Sequence, residues 1–420
     1  LATGLSSCAV APPATKFSPS AVFELAPKFP RSSAQNPRLN PSVLGSNCAA
    51  PPLRPHFLVW GGGSPASNEI AIEKNVLYFQ RTLKALGLGA SQPQIYFANG
   101  NSGEKTIRFI DPKTEQEHFK APAIPGLLGQ ATWSNLQAVL TRTTQQNAKQ
   151  PIFFYFTGHG NRNPHNVDNN SMILWNEQDV TVQDFASQLD RLPQKTRIVA
   201  VMVQCFSGAF ANFIYEKGDP QRPVALQTRC GFFATIKQRP SVGCTPLVDE
   251  ADYEDYSSSF FAGLSGVDRV GRPVASADYD RNGRVSYREA HAFAKVDEQA
   301  SDLPISTSEA WLRDRFSDAQ AEATMKIAIA DILQTARPEQ SYVVKAIVHQ
   351  FEFDPSKSFL ENLDQLPFIQ QVDELPITYL TRLQLELINI AAEKSLRDRA
   401  DKSAIAVLDR LLQCEAGAWK

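Results

Sequence analysis

Two short stretches of the chain carry residue types suited to thiol chemistry. Phe156-Thr157-Gly158-His159-Gly160 closes an apolar run that begins at Ile152, and Val203-Gln204-Cys205-Phe206-Ser207-Gly208 closes another that begins at Ile198. The thiolate is the nucleophilic form of cysteine, and an imidazole beside it can take the thiol proton and later return it to a leaving group. Taken singly, each residue has a plainer role, since a cysteine ending an apolar strand is usually a small buried hydrophobe and His-Gly is a common turn. Taken together, they make Cys205 the expected nucleophile and His159 its acid/base partner. The backbone amides of Gly160 and Cys205 are the expected donors to a developing oxyanion, where one such donor is worth roughly 3–4 kcal/mol.

Both residues must be delivered to one edge of one sheet. In open α/β sheets functional groups collect at the carboxyl ends of strands, and the surrounding pattern reads as such a sheet. Phe57-Leu58-Val59-Trp60 is a strand stopped by Gly61-Gly62-Gly63, and Ile72, Val76, Phe79, Leu83 and Leu86 then form one helical stripe. Ile95-Tyr96-Phe97-Ala98 reads as a strand, Trp133 to Thr144 and Val182 to Leu192 as helices. Continuous apolar strands alternating with amphipathic helices imply a mostly parallel sheet covered on both faces. Residues 319–420 read as a helical carboxyl-terminal region, with Leu380, Leu383, Leu387 and Ile390 on one face. Residues 1–52, rich in Pro, Ser, Ala and Asn, read as an arm or tether.

The apolar strand ending in His-Gly, followed about 50 residues later by one ending in Gln-Cys-x-Ser-Gly, resembles the legumain and caspase clan of cysteine peptidases. The resemblance spans roughly residues 56–315, within an expected peptidase domain of 53–318. It is nearer to bacterial legumain-like proteins through Gly158-His159-Gly160, Gln204-Cys205-Phe206-Ser207-Gly208-Ala209-Phe210, and Asp302-Leu303-Pro304 with Thr307-Ser308-Glu309. It implies a caspase-like three-layer sandwich and an endopeptidase working through a Cys/His dyad and an acyl-enzyme thioester. The same machinery serves a transamidase when an amine resolves the thioester, and a calcium-stabilised binding module without turnover is the non-enzymatic alternative. The resemblance also gives Asn68 the task of orienting His159, whereas its place ahead of Glu69 reads equally as a helix N-cap. The sequence departs from the Gln-Ala-Cys and Glu-Ala-Cys forms of the clan, so the resemblance does not fix its cleavage specificity.

Asp278-Tyr279-Asp280-Arg281-Asn282-Gly283-Arg284-Val285-Ser286-Tyr287-Arg288-Glu289 fits an EF-hand loop. Calcium, in a structural role, is expected on Asp278, Asp280, Asn282, the Arg284 carbonyl, Ser286 and Glu289. His165, in an Asn-rich loop, reads as solvated, and Ser64 is discounted as a nucleophile because Pro65 follows it and the elbow's closing glycine is missing. A net charge of -2 with no basic run argues against a nucleic-acid partner, and no apolar run is long enough to span a membrane. The expected partner is a peptide or protein substrate. Leu5-Ser6-Ser7-Cys8 resembles the end of a lipoprotein signal, which points to an extracytoplasmic protein with Cys8 as the candidate lipid anchor. Cys230 and Cys244 are spaced to close a short disulfide loop.

Overall fold

The computed structural model describes residues 54–147, 150–366 and 374–419. The arm at 1–52, with Cys8, lies outside them. The strands are β1 (His56–Gly61), β2 (Gln94–Phe97), β3 (Ile107–Ile110), β4 (Glu117–Lys120), β5 (Leu127–Gly129), β6 (Ile152–Thr157), β7 (Gly160–Asn161), β8 (Ser171–Leu174), β9 (Gln178–Thr181), β10 (Ile198–Met202), β11 (Arg229–Phe233) and β12 (Ile305–Ser306). The α-helices up to the sheet's last strand are α1 (Ile70–Ala85), α2 (Trp133–Asn147), α3 (Val182–Leu189), α4 (Tyr256–Ser265) and α5 (Tyr287–Asp297). Beyond it come α6 (Thr307–Arg313), α7 (Asp318–Thr324), α8 (Ile329–Leu333), α9 (Pro338–Gln350), α10 (Phe359–Leu363), α11 (Glu374–Asp398) and α12 (Lys402–Glu415).

Seven strands form the central sheet in the order β12-β11-β10-β6-β1-β2-β5. All neighbours run parallel except β11 and β12. Side chains alternate between its faces with period two. Leu58, Trp60, Phe154, Phe156, Ala200 and Met202 enter one core with Phe185 of α3 and Leu383 of α11. Phe57, Val59, Phe153, Tyr155, Val199 and Val201 enter the other with Phe79 of α1 and Phe260 of α4. Both faces are buried, which is why the inner strands β1, β6 and β10 are apolar along most of their length. This is the three-layer α/β sandwich expected from the sequence. The short hairpin β3–β4, the three-stranded β7–β8–β9 sheet and the strands β11 and β12 were not anticipated.

The carboxyl-terminal helices share the cores of the sheet. Leu380, Leu383, Leu387 and Ile390 are buried in the first. Trp419 reaches the second, with ring centroids 5.0 Å from Phe57, 5.5 Å from Phe79 and 5.0 Å from Phe153. A buried polar knot adds to this: Lys295 bridges Glu309 and Glu386, and Asn389 donates to Glu309 while accepting from Arg313. Among the described residues no helix is long and apolar enough to cross a membrane.

The Cys230–Cys244 loop is corrected. Cys230 of β11 is bonded to Cys414 of α12, 184 residues away, because α12 packs directly against β11. Cys244 lies elsewhere.

Trp419 fills an aromatic pocket at the far end of the chain, so Trp419→Ala is expected to cost about 3–5 kcal/mol, as large aromatic deletions in cores do. Urea unfolding checks this. A loss below about 1 kcal/mol would show that the carboxyl terminus is not part of the cooperative core.

Candidate active site

The parallel ladder between β6 and β10 pairs Phe156 with Met202 as its last couple, and Val203 N–H donates to Phe156 O at 3.1 Å. His159 and Cys205 each stand three residues beyond that couple, on neighbouring segments leaving the same sheet edge. One glycine lets these segments touch, and a second lets the turn after β1 close beside His159. A Cβ at Gly160 would lie 2.4 Å from Cys205 O, and one at Gly63 would lie 1.6 Å from Ser67 O and 3.0 Å from His159 Cδ2. Any side chain at either position would push the site open.

Cys205 is half-buried and not disulfide-bonded. Its Sγ accepts the Ser241 N–H at 3.3 Å and faces the Ser241 carbonyl at 3.5 Å. The chain turns sharply after it, with Phe206 in the left-handed region at φ 58°, a conformation costing of order 1–3 kcal/mol for a residue with a side chain. That turn is held from outside: Phe206 N–H donates to Arg239 O at 2.9 Å, and the buried Asn170 amide donates to Phe206 O and Lys237 O. A 3₁₀ segment, Ser207–Ile214, then leads the chain away.

His159 is 9% exposed, and its Nε2 lies 2.9 Å from Glu69 Oε2. The other Glu69 oxygen accepts from Arg108 at 3.1 Å. Burial acts to raise the Glu69 carboxyl, but the hydrogen bond and charge of His159, with help from Arg108, hold it below its ordinary value. Glu69 is therefore an anionic anchor for the imidazole. Sequence reading missed it, because an acid just ahead of a helix reads as a complement to the helix dipole.

Asn68, expected to orient His159 or to cap α1, is directed elsewhere. Its Oδ1 accepts Gly63 N–H at 3.2 Å and its Nδ2 donates to Thr106 Oγ1 at 3.2 Å. It fixes the glycine turn, and the residue at the N-cap of α1 is Glu69. Cys244 was also missed as a site residue. Its Sγ, a ring nitrogen of His159 and a Glu69 carboxylate oxygen lie within 4.8 Å of one another.

The segment that meets Cys205 is clamped from behind. Asp302 is fully buried and accepts from Ser241 Oγ at 2.6 Å and Val242 N–H at 3.1 Å. Burial pushes its carboxyl up to about 7, against those hydrogen bonds and the nearby Arg382 charge, which pull it down.

The acidic loop adopts a closed turn. Asp278, Asp280 and Glu289 bring carboxylate oxygens within 4.8 Å of one another. Arg281 and Gly283 take positive φ, and Ser286 and Glu289 form a capping box at the start of α5. His165 is exposed, with its N–H on Asn163 Oδ1, and Ser64 Oγ pairs with Ser67 Oγ.

No family model matches the chain, and no curated protein matches it. Among solved structures, the protein GSU0716 from Geobacter sulfurreducens matches with a TM-score of 0.34 and 12% identity, covering 60% of this chain and 92% of that one. At that score the likeness carries no functional argument.

Asp302 holds its proton more tightly folded, at about 7, than its ordinary value of 3.8 allows unfolded. Its contribution to stability is thus full below the unfolded value and is lost as pH rises toward about 7. Asp302→Asn is expected to flatten the fall of the thermal midpoint between about pH 4 and 7. Parallel slopes for the two proteins would refute the assignment.

Proposed function

We propose that the chain is a cysteine-type endopeptidase with Cys205 as nucleophile and His159 as general acid/base. The observation that carries this reading is the level placement of the two residues beyond the β6–β10 ladder, with His159 anchored through Nε2 on Glu69. That anchor turns the opposite ring nitrogen to the task of taking the Cys205 proton. The thiolate attacks a peptide carbonyl, and the oxyanion formed is received by the amides of Gly160 and Cys205. Collapse expels the amine, which His159 protonates, and leaves a thioester on Cys205. His159 then deprotonates a water, whose attack releases the acid and restores the thiol. Glu69 is a positioning residue here: its charge favours the imidazolium formed during the reaction, and Arg108 keeps the carboxylate in place.

The acidic loop is assigned to calcium on the fit of its donors. Oxygens of Asp278, Asp280, Asn282, Ser286 and Glu289, with the Arg284 carbonyl, suit a hard cation, which would cross-link the turn to α5 and supply no chemistry to the thiol. An extracytoplasmic location is supported by the Cys230–Cys414 bond, which persists in oxidising surroundings.

Acyloxymethyl ketone labelling is expected to modify Cys205 stoichiometrically and to be lost in Cys205→Ala and His159→Ala. Glu69→Gln is expected to lower kcat about a hundredfold with KM little changed, since its partner acts in the transition state. Labelling no faster than a surface thiol would favour a binding module, and amide products formed with added amines would identify a transamidase. Separately, calcium is expected to raise the thermal midpoint of the wild type and not of Glu289→Gln. Equal midpoints with calcium and with chelator would remove the metal from this loop.

A further inference from the structure

We infer that Glu69, His159 and Cys244 form a binding site for a borderline transition-metal cation, Zn²⁺ by donor set, and that filling it silences the imidazole. The site's existence rests on the three side chains alone; its consequence rests on reading His159 as the general base.

The donors are one oxygen, one nitrogen and one sulfur, all within 4.8 Å of one another, with His159 Nε2 and Glu69 Oε2 already 2.9 Å apart. Zinc bond lengths of about 2.0–2.3 Å place tetrahedral donors about 3.3–3.8 Å apart, so a slight opening of the His159–Glu69 pair and a small contraction of Cys244 toward it complete three ligands and leave a fourth position for water. Glu69 and His159 are buried, and Cys244 is half-buried beside Gly158 O. Arg108 holds the second Glu69 oxygen, the kind of outer partner that orients a ligating carboxylate. The charges balance as well. A carboxylate, a thiolate and a neutral imidazole neutralise a divalent cation, which favours it over bare burial of either anion. Nitrogen and sulfur donors suit zinc and exclude calcium, so this site and the all-oxygen loop at 278–289 sort metals by softness.

Binding releases the Cys244 proton to solvent. The neutral imidazole then carries metal on one nitrogen and its single proton on the other, leaving no lone pair to accept the Cys205 proton.

Co²⁺ alone, added to Cys205→Ala, reads the site independently of activity. The expected result is a thiolate-to-cobalt charge-transfer band with tetrahedral visible bands, lost when Cys244→Ser or, in parallel, Cys244→Ala is added. Adding Glu69→Gln instead should weaken affinity about tenfold or more. Absence of the band, or its survival in both Cys244 variants, overturns the site. In the wild type, Zn²⁺ should slow acyloxymethyl ketone labelling of Cys205 about tenfold or more, reversibly with chelator, and this protection should vanish in Cys244→Ser. Cobalt binding with labelling indifferent to zinc would overturn the silencing. A cobalt band with Cys205 unlabelled under every condition would leave the metal site standing and sink the peptidase reading, whereas labelling without a band would do the reverse.

Discussion

The parallel pairing of β6 with β10 sets how far apart the imidazole and the thiol can be. Register in such a pair is weakly enforced by burial, because both faces of the sheet are covered and a slip of one residue exchanges one apolar set for another. Contacts at the carboxyl edge do what the alternation cannot. Gly160 packs its Cα against the Cys205 carbonyl, where even a methyl group has no room. A shifted register would bring a different residue against that carbonyl, so the glycine beside His159 acts as a gauge for the pairing as well as a neighbour of the thiol.

Electrostatics then decides what the pair can do. A buried carboxylate without partners is costly, but Glu69 has His159, Arg108 and the amino-terminal end of α1 on its side. Its lowered pKa expresses that surplus of stabilisation. The result is a fixed negative charge at Nε2 of the imidazole. A neutral amide at 69 would keep a hydrogen bond but lose the field that favours the protonated ring. Asn68 illustrates the distinction: it shares the segment, yet both ends of its side chain are spent on holding backbone and a threonine.

The fold was legible where apolar runs were long enough to have only one reading. β1, β6 and β10 are uninterrupted, and the helical stripes of α1, α3 and α11 repeat cleanly. β11 was not legible, because Arg229 and Gly231 break its pattern; Arg229 tolerates burial only through Asp190, Gln227 and the Phe213 carbonyl. Of the site, the residues at the two strand ends could be named in advance. Glu69 and Cys244 could not, since each comes from an irregular stretch whose place is set by tertiary contacts. The cysteine spacing misled for the same reason: proximity in sequence suggested Cys244 for Cys230, while the packing of α12 on β11 supplied Cys414.

The carboxyl-terminal helices belong to the support of the site. Arg382 of α11 donates to the carbonyls of Lys295, Glu298, Ala300 and Asp302, fixing the course of the chain just before β12. Asp302 in turn grips Ser241 and Val242, and the Ser241 backbone meets the Cys205 sulfur. The links through Arg382 and Asp302 are buried and hydrogen-bonded, so displacement of either is resisted by the desolvated polar groups it would leave unpaired. A guanidinium on a helix remote in sequence thereby reaches Cys205 through two side chains and one stretch of backbone. The helices beyond the sheet's last strand are thus tied by hydrogen bonds, as well as by the shared cores, to the segment that meets Cys205.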